Sequence, residues 1–292
     1  MIGRSDRFRS MVLGIVGMVA LCCVWEGYKA FGNAVHGHVF GWKLAGRTDD
    51  ASMPPISTSL SSFTKPEVRG SGRTVFASIV AGSWFTFRLA IAGFAIGIAV
   101  GLLLAIAMQR FRGLERAWLP YVVLSQTVPL VALAPLIVGW GGKLKLFGHP
   151  WQAWMSVAAM SAYLAFFPVS IGALRGLQSP KAHSLELMDS YAASWWQTLT
   201  KLRFPSALPH IVPALKLAAA ASIVGTIVAE ISSGTSGGVG RLILDYFQKA
   251  TGDPARVFTA FIGASALGLI VAGLIGVLEF AVMRNRPKEA LA

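Results

Sequence analysis

Six long apolar runs alternate with shorter polar stretches along the chain, at residues 11–31, 75–108, 118–140, 151–174, 211–231 and 255–283. A helix needs about 20 apolar residues to cross the hydrocarbon layer of a membrane. In lipid only helices and closed barrels satisfy every backbone N–H and C=O, and these runs are of helical length. The pattern predicts an all-α integral membrane protein with about six transmembrane helices.

The first run follows Arg4, Arg7 and Arg9. It is long for a signal peptide and no small-x-small cleavage site follows it, so it is expected to be a retained span. Residues 32–74 are polar and broken by Pro54, Pro55 and Pro66, which predicts an external loop with short helices on the membrane surface. The second run exceeds one span, so an interfacial lead-in is expected before a helix from Ser83. Within it Gly93, Gly97 and Gly101 share one face and allow a second helix to approach closely, either within the subunit or across a subunit contact. Gly268, Gly273 and Gly276 suggest the same of the last run. Pro120, Pro129 and Pro135 predict a kinked third span.

Residues 175–209 break the alternation. They are too polar to span and too favourable to helix for a loose loop. Leu185, Met188, Ala192, Trp195 and Leu199 recur at helical spacing, with Glu186, Asp189, Ser190 and Gln197 on other faces. An amphipathic helix or helix pair outside the membrane needs a partner over its apolar side. Residues 232–253 form a Gly/Ser-rich external loop with a short amphipathic piece at 241–249.

Composition supports lipid as the solvent: 54% of the 292 residues are hydrophobic and 13% charged, about half the usual charged share of a soluble domain. The net charge of +13 resides mainly at the ends of apolar runs, where lipid headgroups lie, and no basic patch with interleaved aromatics suggests nucleic acid. Cys22 and Cys23 are adjacent in the first run and give no disulfide framework. Lys and Arg favour residues 1–10, the turn at Arg110, Arg112 and Arg116, the 175–209 segment and the tail 285–292, which places both termini and that segment in the cytoplasm.

No nucleophile, base and orienting group share a recognisable spacing, and no phosphate-binding Gly-x-x-x-x-Gly-Lys-Ser/Thr loop occurs, so no catalytic residue is assigned. His36 and His38 lack a ligand cluster and suit an interfacial position better than a metal site. Arg88 and Lys216 can snorkel to the two interfaces. Glu230, Gln126, Thr127 and Thr226 are candidates for a polar translocation pathway, or for structural hydrogen bonding. A secondary transporter that couples ions through Arg88, Lys216 and Glu230 is the alternative, though the internal repeats of such folds are missing.

The segment from Glu186 to Pro205 resembles the EAA loop of binding-protein-dependent ABC importer permeases. That loop has Glu-Ala-Ala, a Gly six residues after the Glu, and Ile-x-Leu-Pro ten residues further on. Glu186 and Pro205 match; Leu202 and Phe204 stand for Ile and Leu; Leu187, Met188 and Ala192 replace Ala, Ala and Gly. The stretch 125–140 and the Ile223-Val-Gly-Thr-Ile-Val-Ala-Glu230 stretch resemble the nitrate, sulfonate and taurine branch. The residues around Glu186, those at 231–241 and those at 47–54 lean toward riboflavin or thiamine-precursor permeases.

The resemblance implies a type I ABC importer permease fold. Residues 75–284 form the core with five spans, and a coupling helix lies in 175–209. Glu186, Asp189, Ala192, Ala193, Ser194, Trp196, Leu202 and Pro205 contact a cytoplasmic ATPase subunit that holds ATP and Mg, this chain binding no cofactor of its own. A second permease subunit, as a homodimer, and an extracytoplasmic substrate-binding protein complete the assembly in a bacterial inner membrane.

Overall fold

The computed structural model describes residues 4–35, 48–67, 72–146, 148–249 and 252–283. His36, His38 and the tail 285–292 lie outside the described residues. The helices are α1 (Arg4–Ala34), α2 (Ile56–Ser61), α3 (Val75–Arg110), α4 (Arg112–Ser125), α5 (Leu130–Gly141), α6 (Ala153–Leu177), α7 (Ala182–Ser190), α8 (Trp195–Thr198), α9 (Phe204–Ser233), α10 (Val239–Gln248) and α11 (Ala255–Met283). A two-residue ribbon, β1 (Lys145–Leu146) with β2 (His149–Pro150), turns the chain between α5 and α6. Among the described residues five helices are long and apolar enough to cross a membrane, and the bent pair α4–α5 makes six if it forms one span.

The chain divides into two compact units, Met1–Ser78 with Ile243–Ile262 and Ile79–Leu242 with Gly263–Ala292. In the first, the segment 48–67 is bound tightly rather than lying free. Glu26 accepts the Ile56 amide at 2.8 Å, Trp25 donates to the Pro54 carbonyl at 3.3 Å, and Lys29 pairs with Asp50 at 2.6 Å. On its other side Thr259 donates to the Ser59 carbonyl at 2.8 Å and Arg256 to the Glu67 carbonyl at 2.6 Å. Trp25 meets Phe258 edge-on with ring centroids 5.5 Å apart.

In the second unit the glycine stripe of α3 faces α6, not another subunit. A Cβ on Gly93 would overlap Ser161, one on Gly97 would lie 2.7 Å from Ala165 Cβ, and one on Gly101 would lie 2.8 Å from the Phe166 carbonyl. Gly176 of α6 lets Ala207 of α9 approach in the same way, a Cβ there falling 2.9 Å from Ala207 Cα. Around these contacts Met108, Leu174, Leu177, Leu199, Ala207 and Ile211 form one buried cluster, and Ala90, Ala219, Ile223, Leu267 and Val271 another. Gly268 and Gly273 of α11 have open space beside them among the described residues, so the close contact expected there is not made within this chain.

Three expected boundaries change. The second run is one helix of 36 residues with no separate lead-in. The third is broken rather than kinked: α4 and α5 meet at 102°. Pro129 has no N–H to give and disfavours helical geometry at Val128, so the ladder stops at Ser125 and restarts at Leu130. The fifth span starts earlier than residue 211, because α8, a π-helical turn over Leu199–Arg203 and α9 run on as one helix, Trp195–Ser233. Pro205 cannot donate to the turn before it, and the wider π turn accommodates its ring.

Candidate functional site

Two constellations hold the residues singled out from the sequence. The first is the helix–turn–helix of α7 and α8. At the end of α7 the Ala192 amide donates to the Asp189 carbonyl at 2.9 Å and the Ala193 amide to the Met188 carbonyl at 3.0 Å. This is the paired bonding of a Schellman cap, which needs a left-handed residue at its turn. Ala192 supplies it with φ +51°, the one non-glycine at positive φ among the described residues.

Ser194 then starts α8 with a capping box. Its hydroxyl faces the Gln197 amide at 3.4 Å, and the Gln197 side chain accepts the Ser194 amide at 2.8 Å. Stop and start signals thus sit two residues apart, which makes the turn short and defined. The second arm is anchored below: Arg203 donates to the Leu177 carbonyl at 2.9 Å, and the Arg110 guanidinium lies 5.0 Å from the Trp195 ring.

The expected apolar stripe is mostly consumed internally. Leu199 is buried and Leu185, Met188 and Trp195 are half-buried; Ala192 alone is exposed. The uncovered apolar groups are instead Leu187, Tyr191 and Trp196, exposed by 50%, 76% and 66%. They flank exposed Glu186 and Asp189, while Ala193, Leu202 and Pro205 are half-buried and Ser194 is exposed. Sequence periodicity missed Leu187 and Tyr191 because they lie off the stripe. Tyr191 caps α7 at the turn, which was its signal, while Leu187 lies within the helix and had none.

The second constellation surrounds Glu230, whose side chain is wholly buried. Thr86 of α3 donates to the carboxylate, with oxygen separations of 2.8 and 3.0 Å, and the Gly240 amide donates to it at 2.9 Å. The Thr86 hydroxyl in turn accepts the Val239 amide at 2.9 Å. Thr226 lies one turn below, also buried, its hydroxyl donating to the Ser222 carbonyl at 2.8 Å. Sequence reasoning missed Thr86, an ordinary threonine in a span with no motif around it.

Gln126 and Thr127 stand apart from these, at the α4–α5 break. Thr127 is exposed and donates to the Leu124 carbonyl at 2.8 Å; Gln126 is half-buried, its amide 3.4 Å from the Ser125 hydroxyl. Tyr163 of α6 donates to the Ser125 carbonyl, so one of the carbonyls freed by the break has a partner. Arg88 and Lys216 are both exposed.

Comparison with known proteins gives a consistent picture. The formylaminopyrimidine transport permease protein ThiX of Halalkalibacterium halodurans is 31% identical over 194 residues, 66% of this chain and 69% of that protein. The riboflavin transport system permease protein RibX of Chloroflexus aurantiacus is 29% identical over 199 residues, 68% of this chain and 70% of that one. A crystal structure of an amino acid ABC transporter superposes with a TM-score of 0.56 at 19% identity, covering 72% of this chain and 95% of that one, which supports the type I permease fold. The pattern that defines the binding-protein-dependent transport system inner membrane component matches residues 97–284, from the middle of α3 through α11, and this chain belongs to that family of ABC importer permeases.

Proposed function

We propose that this chain forms the translocation pathway of an ATP-driven importer and that the α7–α8 unit is its coupling element, seated on a separate cytoplasmic ATPase subunit. The observation that carries this reading is mechanical. An exposed tip of Leu187, Tyr191 and Trp196 sits on a capped turn whose second arm continues without a break into the span α9. A force on the tip is passed to the membrane by a rigid helix, not lost in a loop. Glu186 and Asp189 beside the tip offer carboxylates to a basic groove.

ATP and Mg are held by the partner, an extracytoplasmic binding protein delivers the solute, and a second copy of this chain completes the membrane pair in a bacterial inner membrane. Both termini and the α7–α8 unit face the cytoplasm. Gln126 and Thr127 at the α4–α5 break, with Thr226 and Glu230 on α9, are the polar residues assigned to the pathway side. The substrate is a small heteroaromatic solute of the riboflavin or thiamine-precursor kind, a reading supported by the names of two relatives; sulfonate-like or nitrate-like anions come next.

The test is co-expression and co-purification of the chain with a candidate cytoplasmic ATP-binding-cassette subunit, with Glu186→Lys and Tyr191→Ala variants of the tip. Loss of the ATPase from both variants, with membrane insertion intact, is expected. Uptake that proceeds with no ATPase bound would instead reveal a secondary transporter.

A further inference from the structure

We propose that Thr86 and Glu230 are positioning residues of the transport cycle: together they clasp the first turn of α10 from two different spans, and the clasp opens when the pathway changes its access. The transport half of this statement rests on the importer reading above; the clasp itself does not.

The first amides of a helix have no partner inside the helix and must find one elsewhere. In α10 those of Val239 and Gly240 are taken by side chains from α3 and α9, Thr86 and Glu230 respectively. The proton inventory is closed. Thr86 accepts from Val239, which leaves its own O–H for Glu230; Glu230 accepts that and the Gly240 N–H.

Two features separate this arrangement from plain packing. A buried carboxylate is a costly way to fix a turn that an apolar contact would hold, and such groups in membrane segments are functional by default. The turn it fixes is built from glycines in conformations that other residues rarely adopt. Gly234 and Gly237 have φ +68° and +108°, and Gly237 rests on the Phe85 ring, where a Cβ would lie 3.4 Å away. The segment between α9 and α10 is therefore a glycine turn whose exit into α10 is held by one carboxylate and one hydroxyl.

Thr86→Val keeps the shape of the side chain while removing its donor and acceptor, and Thr86→Ser restores both. Glu230→Leu removes both acceptor oxygens, so neither the Thr86 hydroxyl nor the Gly240 amide keeps its partner on residue 230. The experiment is amide hydrogen exchange at Val239 and Gly240, first on the chain alone in detergent and then on the assembled complex, resting and after trapping with ATP and vanadate.

Exchange at least tenfold faster in Thr86→Val and Glu230→Leu than in the native chain, and native rates in Thr86→Ser, are expected in the resting protein. Trapping is expected to raise the native rate toward that of Thr86→Val. Equal protection in Thr86→Val and native chain overturns the clasp. Protection that is unchanged on trapping overturns its part in the cycle. If no ATPase assembles with the chain, the importer reading and the cycle fall together, and the resting comparison still decides the clasp.

Discussion

The backbone of Gly238 runs so close to the carboxyl group of Glu230 that a Cβ on residue 238 would overlap the carboxyl carbon and both oxygens. Glu230 is also held by the Thr86 hydroxyl and the Gly240 amide, so moving it breaks both bonds. Gly238→Ala therefore forces either the turn or the carboxylate to move, an overpacking cost of about 1–3 kcal/mol. Gly234→Ala is the control. Its φ of +68° strains an alanine, but the nearest atom to a Cβ there is Arg241 Nη1 at 3.9 Å. Thermal unfolding in detergent is expected to fall for both, and protection of the α10 amides to be lost in Gly238→Ala alone.

Ala192 carries a strain that a glycine relieves. A left-handed alanine costs roughly 1–2 kcal/mol, while glycine loses more chain entropy on folding, so the two effects partly cancel. At φ +51° the strain wins. Ala192→Gly is expected to stabilise the α7–α8 turn by roughly 0.5–1 kcal/mol. Ala192→Val, with its β-branch in the same conformation, is expected to destabilise it by more than the glycine gains. Exchange rates of the Ala192 and Ala193 amides, whose acceptors are Asp189 and Met188, measure both.

Gly97 of α3 is a tight interior contact with α6. A leucine there would meet Ala165 Cβ at 2.7 Å from its own Cβ and the Ala162 carbonyl at 3.0 Å. Gly97→Leu is expected to separate α3 from α6 and abolish a stable fold in detergent. Gly273→Leu, on a face of α11 with open space, is expected to leave the isolated chain's melting unchanged. If Gly273→Leu reduces pairing of two copies in a cross-linking assay, that face belongs to an assembly contact.

Much of this was legible in the sequence, because lipid makes segment length a direct read of topology. The apolar runs gave the spans, and the Glu186–Pro205 pattern pointed to the helix–turn–helix of α7 and α8. What escaped depends on contacts between distant residues. The partner of the Gly93, Gly97 and Gly101 stripe was open until Ser161 and Ala165 were seen across from it. Pro129 announced a distortion, but whether a proline kinks or breaks a helix depends on the groups around it, such as Tyr163 beside the Ser125 carbonyl. Thr86 and Glu230 are 144 residues apart, and nothing local in the chain says that they meet.

The capping box of α8 is lopsided, and that asymmetry makes a prediction of its own. Usually the N-cap hydroxyl is the important half, and its loss costs about 1 kcal/mol. Here the Ser194 hydroxyl stands 3.4 Å from the Gln197 amide, beyond good hydrogen-bond distance, whereas the Gln197 side-chain oxygen accepts the Ser194 amide at 2.8 Å. Gln197→Ala leaves that amide to water, and Ser194→Ala gives up only the longer bond. Gln197→Ala is therefore expected to destabilise the turn at least as much as Ser194→Ala, the reverse of the usual order. The two changes share one ring of bonds, so the double variant is expected to lose less than the two single losses added. Exchange at the Ser194 and Gln197 amides in the three variants measures each bond separately. A larger loss in Ser194→Ala would mean that the hydroxyl, not the carboxamide, holds the entrance to α8.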